Sequence, residues 1–301
     1  MTEVCLSIDP QITWNIYSCR QWGTMKHIIS GLVIISILLI SGVVAEDSND
    51  TVSDATLIES WMLDNETAAA MIELYAIDLR MIEDGYGAVI LKNLSEKEDF
   101  KVYAEDPDGT VDALLDIIEA ETLKNEDASA DLQKLYNAYD LLNATGDQML
   151  SSFETNELVA VDEEVSAYKD AAVDLTSTFD EFIAKYIDKD TINEQTFRLL
   201  LYTHLLGAVN AQEGYVLTAD PALSEKYVEK MAAFDADAAA FEARFPDVSI
   251  DEMKELKEKA YDIVLKTIQE GSETGAEMDL TALMPVVIEI MDGYRQTTTL
   301  Q

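Results

Sequence analysis

Apolar residues recur at three- and four-residue spacing along nearly the whole chain after Asp54, and that period predicts one helix after another. Leu57, Trp61, Ala68, Met71, Tyr75, Met81 and Ile82 mark a first helix, expected to end between Gly85 and Leu91. A second runs from about Leu94 to Asp106-Pro107-Asp108-Gly109, where proline and glycine must break it. Helix resumes at Thr110 and continues to about Lys124. Two longer seams follow: Leu132, Leu135, Tyr139, Leu142, Gly146, Met149 and Phe153, then Leu158, Val161, Val165, Tyr168, Ala172, Leu175, Phe179, Phe182 and Tyr186. Their alternating steps are those of a left-handed helical bundle. Asp162, Glu163, Glu164, Asp170, Asp174 and Asp180 occupy the polar face between them.

Asp188 to Thr191 reads as a joint. A fifth helix spans about Asn193 to Tyr215. A sixth starts near Pro221, carries Tyr227, Met231, Phe234, Ala238 and Phe241 inward, and ends at Phe245-Pro246. Ser249-x-x-Glu252 is a capping box for a seventh, which Gly271 is expected to close. The last carries Leu280, Leu283, Val287, Ile290 and Tyr294, with Pro285 near its start. No segment alternates with the two-residue period of a strand, so the fold class is all-α.

One stretch occurs twice. Glu83-Asp84-Gly85-Tyr86 and Leu94-Ser95-Glu96-Lys97 reappear as Gln212-Glu213-Gly214-Tyr215 and Leu223-Ser224-Glu225-Lys226, displaced by 129 residues in both cases (85 to 214, 94 to 223). A repeat at a fixed offset points to duplicated structure. Each copy reads as the tip of a helical hairpin, and the chain as two up-down four-helix bundles, side by side or stacked, over residues 46–190 and 191–301.

Composition adds an exterior. Lys and Arg number 20 against 59 Asp and Glu, a net charge of −39. Such a field repels nucleic acid and anionic membranes and suits a salt-rich medium. The apolar share of 48% argues against disorder. Met25-Lys26-His27, an uncharged run from Ile28 to Ala45, and then Glu46-Asp47 have the order of a secretory signal, with retention as a membrane anchor as the alternative. Residues 1–24 read as a mis-started extension. Both cysteines, Cys5 and Cys19, fall there, so the exported chain is expected to carry no disulfide or thiolate metal site. Asn49, Asn65, Asn93 and Asn143 each begin an Asn-x-Ser/Thr glycosylation sequon. Signal, sequons and acidity together fit an exported glycoprotein at an archaeal-type cell surface.

The second copy carries a resemblance. Gly214, Tyr215, Leu217, Thr218, Asp220, Leu223 and Tyr227 match the hairpin signature of extracytoplasmic four-helix-bundle sensor domains of chemoreceptors and sensory kinases, including the helical bimodular type. Ala219 stands where a glycine is usual, and Glu213 where arginine is common. The first copy matches only at Gly85, Tyr86 and Leu94. The resemblance implies a small-ligand sensor on the outside of the cell, a tendency to homodimerise, and a role in chemotaxis or signal transduction. Those receptors continue into a second membrane helix and an output module, whereas this sequence stops at Gln301. Either the chain is a standalone sensor-like surface protein, or its output belongs to another chain, a membrane receptor or kinase. The alternative is a structural or adhesive envelope glycoprotein.

Candidate chemistry is sparse. His204 lies on an apolar face with Phe197, Leu201 and Ala208, the position of a hydrogen-bonded core histidine or of a ligand contact. Arg198, on the same helix, and Arg80, late in the first, are placed to clamp a carboxylate ligand or to snorkel to a surface acid. Asp106 to Asp112 is similar to a calcium loop, but Ala104 and Leu115 fall where oxygen donors belong, so it reads as a turn with capping aspartates. No phosphate loop, Gly-x-Ser-x-Gly or His-Glu-x-x-His is present, and one histidine cannot complete a di-iron bundle. Neither enzyme activity, nor a cofactor, nor a metal is expected.

Overall fold

A computed structural model describes residues 61–106, 109–274 and 283–298. Every element among them is a helix: α1 (Asn65–Ile90), α2 (Leu94–Glu105), α3 (Thr110–Thr122), α4 (Glu126–Thr155), α5 (Asp162–Tyr186), α6 (Glu194–Thr218), α7 (Pro221–Arg244), α8 (Asp251–Thr274) and α9 (Met284–Thr298). The all-α reading holds. The signal at 25–45, the extension before it, both cysteines, Asn49 and Leu280 lie outside the described residues. No described helix is long and apolar enough to cross a membrane.

Two helices form the centre. Among the 26 residues of α1, Ala68, Met71, Ile72, Tyr75, Ala76, Leu79, Ile82 and Tyr86 are buried around its whole circumference. α6 is the same, from Phe197 through Leu201, Leu205 and Val209 to Gly214. A helix apolar on all sides must be enclosed by others. α1 and α6 run parallel and in register. The backbone N–H of Asn193 donates to Asn65 Oδ1 at 2.6 Å near their starts. Asn210 Nδ2 donates to the Leu79 carbonyl at 2.7 Å in the middle. Tyr86 lies against Gly214 near the ends.

The outer helices are amphipathic and antiparallel to these two or to each other. α5 descends along α1: Phe179 stacks on Tyr75 at 4.5 Å, and the Tyr168 hydroxyl donates to the Met81 carbonyl at 3.1 Å. α7 descends along α6, with Phe241 edge-on to Phe197 and Leu223 near Gly214. α9 also descends along α6, pairing Gly293 with Tyr202. α4 packs on α5, where Asp131 meets Lys185 and Tyr186. One continuous hydrophobic core runs through all of them.

The caps explain the boundaries. Asp64 Oδ1 accepts the Thr67 N–H and starts α1, while Asn193 Oδ1 accepts the Thr196 N–H and starts α6. Each such cap stabilises its helix by about 1 kcal/mol. These two caps are themselves 129 residues apart, so the repeat extends to the beginnings of both helices. Residues 61–64 are not helical, so the helix carrying Ala68 to Ile82 begins only at Asn65; Asp54 and Leu57 lie outside the described residues.

Three other expectations change. Gly85-Tyr86 and Gly214-Tyr215 are not hairpin tips; they lie inside the last turns of α1 and α6. The turns are made further on, by left-handed Lys92 before the Asn93 cap, and by left-handed Ala219 before Asp220 and Pro221. Gly271 does not close α8, which continues to Thr274. Leu158 has φ 64° and Val161 is the N-cap of α5, so the buried seam begins at Val165 instead. The Asp106 turn is as expected: Asp106 takes a left-handed conformation and Oδ2 accepts the Asp112 N–H at 2.9 Å.

Candidate functional site

The Asn193 cap fixes where α6 begins, and so places Arg198 one turn in, facing α9. There the helices leave an open cleft of about 360 Å³, lined by Asn193, Glu194, Gln195, Arg198 and Tyr202 of α6 and its cap, Glu252 of α8, and Gly293, Gln296 and Thr297 of α9. That volume is within the range of small-molecule sites. Tyr202 forms a wall. A Cβ at Gly293 would lie 2.3 Å from its hydroxyl, so only glycine lets α9 approach here. The Thr297 hydroxyl turns back to the Gly293 carbonyl at 2.9 Å, and Gln195 donates to the Thr297 carbonyl.

Arg198 is the cleft's cation. Its Nη1 is 3.6 Å from Glu194 Oε1, a loose pair one helical turn long. Its Nε–H is buried and has no acceptor. A buried donor without a partner is costly, by about 1–3 kcal/mol, and an arginine edge is a fork suited to a carboxylate. Burial and the negative charge of Glu252 raise the Tyr202 phenol above its ordinary pKa, so it stays a neutral hydroxyl.

The other two candidate residues are elsewhere. His204 faces α7, buried, with Nε2 2.8 Å from Asp237 Oδ2. Asp237 also receives Lys189 Nζ at 2.8 and 2.7 Å. Burial lowers the His204 pKa, with the Asp237 hydrogen bond opposing it. This is the hydrogen-bonded core histidine. Arg80 lies on α1 with its guanidinium 4.7 Å over the Tyr103 ring of α2, again with an unpartnered Nε. The three candidates are thus not one site. Of the sequons, Asn65 and Asn93 are half-buried and hydrogen-bonded, Asn65 to the Asn193 N–H and Asn93 to the Ser95 N–H and Glu96. Asn143 lies midway along α4.

A second cluster lies at the other end of α1 and α6. Glu83 and Asp84 are buried and share a side-chain hydrogen bond. Burial raises Glu83 to about 7 and Asp84 to about 9, the latter with further repulsion from Glu83. Glu213 is 1% exposed, neither of its carboxyl oxygens has a partner, and burial together with Glu83 and Asp84 raises it well above the ordinary range. Among the described residues no trio of His, Cys, Asp or Glu is placed to hold a metal ion.

No family model, curated protein or solved structure matches the chain. Sequence reasoning found Arg198 by its rarity but missed Tyr202, Glu252, Gly293 and Thr297. The signal for Gly293 was a glycine inside a helical run, where it costs helix stability unless a neighbour needs the space.

Proposed function

We propose that the chain is an exported, sensor-type helical-bundle protein without catalysis, and that the cleft between α6, α8 and α9 binds a small organic carboxylate. The observation that carries this reading is the Arg198 guanidinium on the cleft wall, whose Nη1 makes a loose 3.6 Å contact with Glu194 while its Nε–H stays buried without an acceptor. A carboxylate entering there pairs with the terminal guanidinium nitrogens, and Glu194 gives up its loose contact. Tyr202 supplies a flat wall and a hydroxyl.

The duplicated architecture supports the same reading. We take α1–α5, with α2 and α3 as one interrupted arm, and α6–α9 as two related four-helix units, side by side, because α1 and α6 share their cap spacing and pack in register. The two units then differ where a ligand would enter. In the first, Trp61 packs edge-on against Tyr186 at 5.8 Å and Leu63 N–H donates to the Tyr186 carbonyl, filling the space beside the start of α1. At the same offset the second unit has Asp190 rather than an aromatic residue, and the cleft beside the start of α6 is open. A membrane receptor or kinase chain remains the proposed recipient of the signal.

The test is a thermal-shift and calorimetric screen of organic acids and amino acids at millimolar concentration. Binding raises Tm through mass action. A hit should be lost with Arg198→Gln, weakened about 10- to 100-fold, the worth of a charge-assisted hydrogen bond of about 1.5–3 kcal/mol. No binder, or a binder indifferent to Arg198, would reject the cleft as its site. Attachment to whole envelopes without any small ligand would favour the adhesive alternative.

A further inference from the structure

The two copies of the acidic-Gly-Tyr triplet meet in space. Gly214 faces the ring of Tyr86, whose hydroxyl would lie 3.0 Å from a Cβ there. Gly85 faces Tyr168, whose hydroxyl would lie 2.3 Å from a Cβ and which holds the carbonyls of Met81 and Ile82. Gly214 lets the last turns of α1 and α6 approach closely, Gly85 admits the Tyr168 ring of α5, and the acid beside each glycine is buried. Glu213 has no hydrogen-bond donor, and among the described residues no trio is placed to hold a metal ion. The counter-charge for such a group has to be a proton.

We propose that the apposed ends of α1 and α6 form a pH-operated clasp, closed while Glu83, Asp84 and Glu213 are protonated and loosened when they ionise. The surroundings oppose ionisation on most sides. On α2, Glu96 adds negative charge to all three, and Asp99 adds to Glu83. On α5, the neutral Tyr168 hydroxyl faces the cluster, and Asp170 acts on Tyr86. The side chain that α7 presents to Gly214 is the uncharged Leu223. Arg80 on α1 pulls the other way on Glu83 and Asp84, but its guanidinium is over Tyr103. The sign follows. Folded-state pKa values above the unfolded ones give stability that is fully present below the ordinary carboxyl range and is lost as pH rises through the raised values. The clasp therefore tightens in acid and loosens through neutral pH.

The experiment uses the full chain in 1 M NaCl, where surface repulsion is screened within about 3 Å. Thermal unfolding is followed from pH 5 to 9, together with hydrogen exchange corrected for its intrinsic pH dependence. Tm should fall across this range, and exchange in residues 81–90 and 211–218 should rise more than in α4. Glu213→Gln should remove at least half of the fall in Tm, whereas Glu163→Gln on the exposed face of α5 should leave it unchanged. If Glu213→Gln does not fold, Glu83→Gln and Asp84→Asn are read the same way. Infrared spectra of the unaltered chain add a direct measure: a protonated-carboxyl band persisting at pH 7. A Tm that is flat or rises from pH 5 to 9, a full fall retained in the variants, or no such band would overturn the clasp.

Discussion

Two glycines only two residues apart in α1 have opposite roles. At Gly85 a methyl group would run into the Tyr168 ring and hydroxyl, with the nearest atom 2.3 Å away. Tyr168 cannot move aside, because it is fully buried and bonded to two carbonyls of α1. Gly85→Ala should therefore destabilise by about 1–3 kcal/mol, the usual cost of overpacking. At Gly87 the same methyl group would meet Glu83 and Glu96 atoms at 3.7 and 3.8 Å, ordinary contact. The helix then gains from losing a glycine, by about 0.5–1 kcal/mol. Urea unfolding of the two variants should move in opposite directions; a loss at both would mean that Gly87 serves some further purpose. The sequence marked Gly85 because its triplet recurs, but it could not show whether the glycine turned the chain or admitted a tyrosine. That distinction depends on Tyr168, 83 positions later, and on how α5 packs against α1. Arg198 was legible as a scarce cation near a core. That its Nε–H is buried without an acceptor depends on α9, which no local pattern specifies.

At the scale of elements, α5 and α7 are tied across the α1–α6 pair. Lys230 of α7 is 3% exposed, donates to the Tyr75 hydroxyl at 2.8 Å, and is bonded to Asp180 of α5. Gly207 makes room for its stem. Burial lowers the Lys230 pKa, with Asp180 opposing this. The two partners are unequal. The Asp180 side chain is 29% exposed and also has Lys226 at 3.4 Å, so it can rehydrate or re-pair. Lys230 has no comparable exposure. Asp180→Asn should thus cost more than Lys230→Met, toward the about 3–5 kcal/mol of a buried charge left alone. The double variant should recover most of the difference, giving a clear coupling in a double-mutant cycle. Equal single effects with no coupling would show the pair to be solvated. The sequence placed Asp180 among the surface acids of α5, but Asp170 and Asp174 are exposed whereas Asp180 is half-buried at the edge of the core. Helix type and most boundaries were readable because heptads, caps and Asp-Pro turns are local. The parallel α1–α6 centre was not read, although the all-round apolar character of both helices was there to be seen.

The chain has a net charge of −39, and its described helices share one core. Its acids lie mostly on the outer faces of the amphipathic helices, where they repel one another at a distance rather than pair. Exposed single salt bridges such as Lys259–Glu289 contribute little, so they do not balance that repulsion. Salt should. Raising NaCl from about 0.05 to 1 M shortens the Debye length from more than 10 Å to about 3 Å, which removes most surface repulsion and leaves the buried groups as they are. Tm at neutral pH should rise by several degrees over that range, and sucrose should not reproduce the salt's concentration dependence at low concentration. The pH response separates the two populations of acids. Burial raises Glu83, Asp84 and Glu213 above the ordinary carboxyl range, and their contribution should persist in 1 M NaCl, whereas repulsion among the exposed acids should not. A Tm indifferent to salt at neutral pH would mean that the acidic exterior is solvated without strain, and the case for a salt-rich working environment would then lose its physical basis.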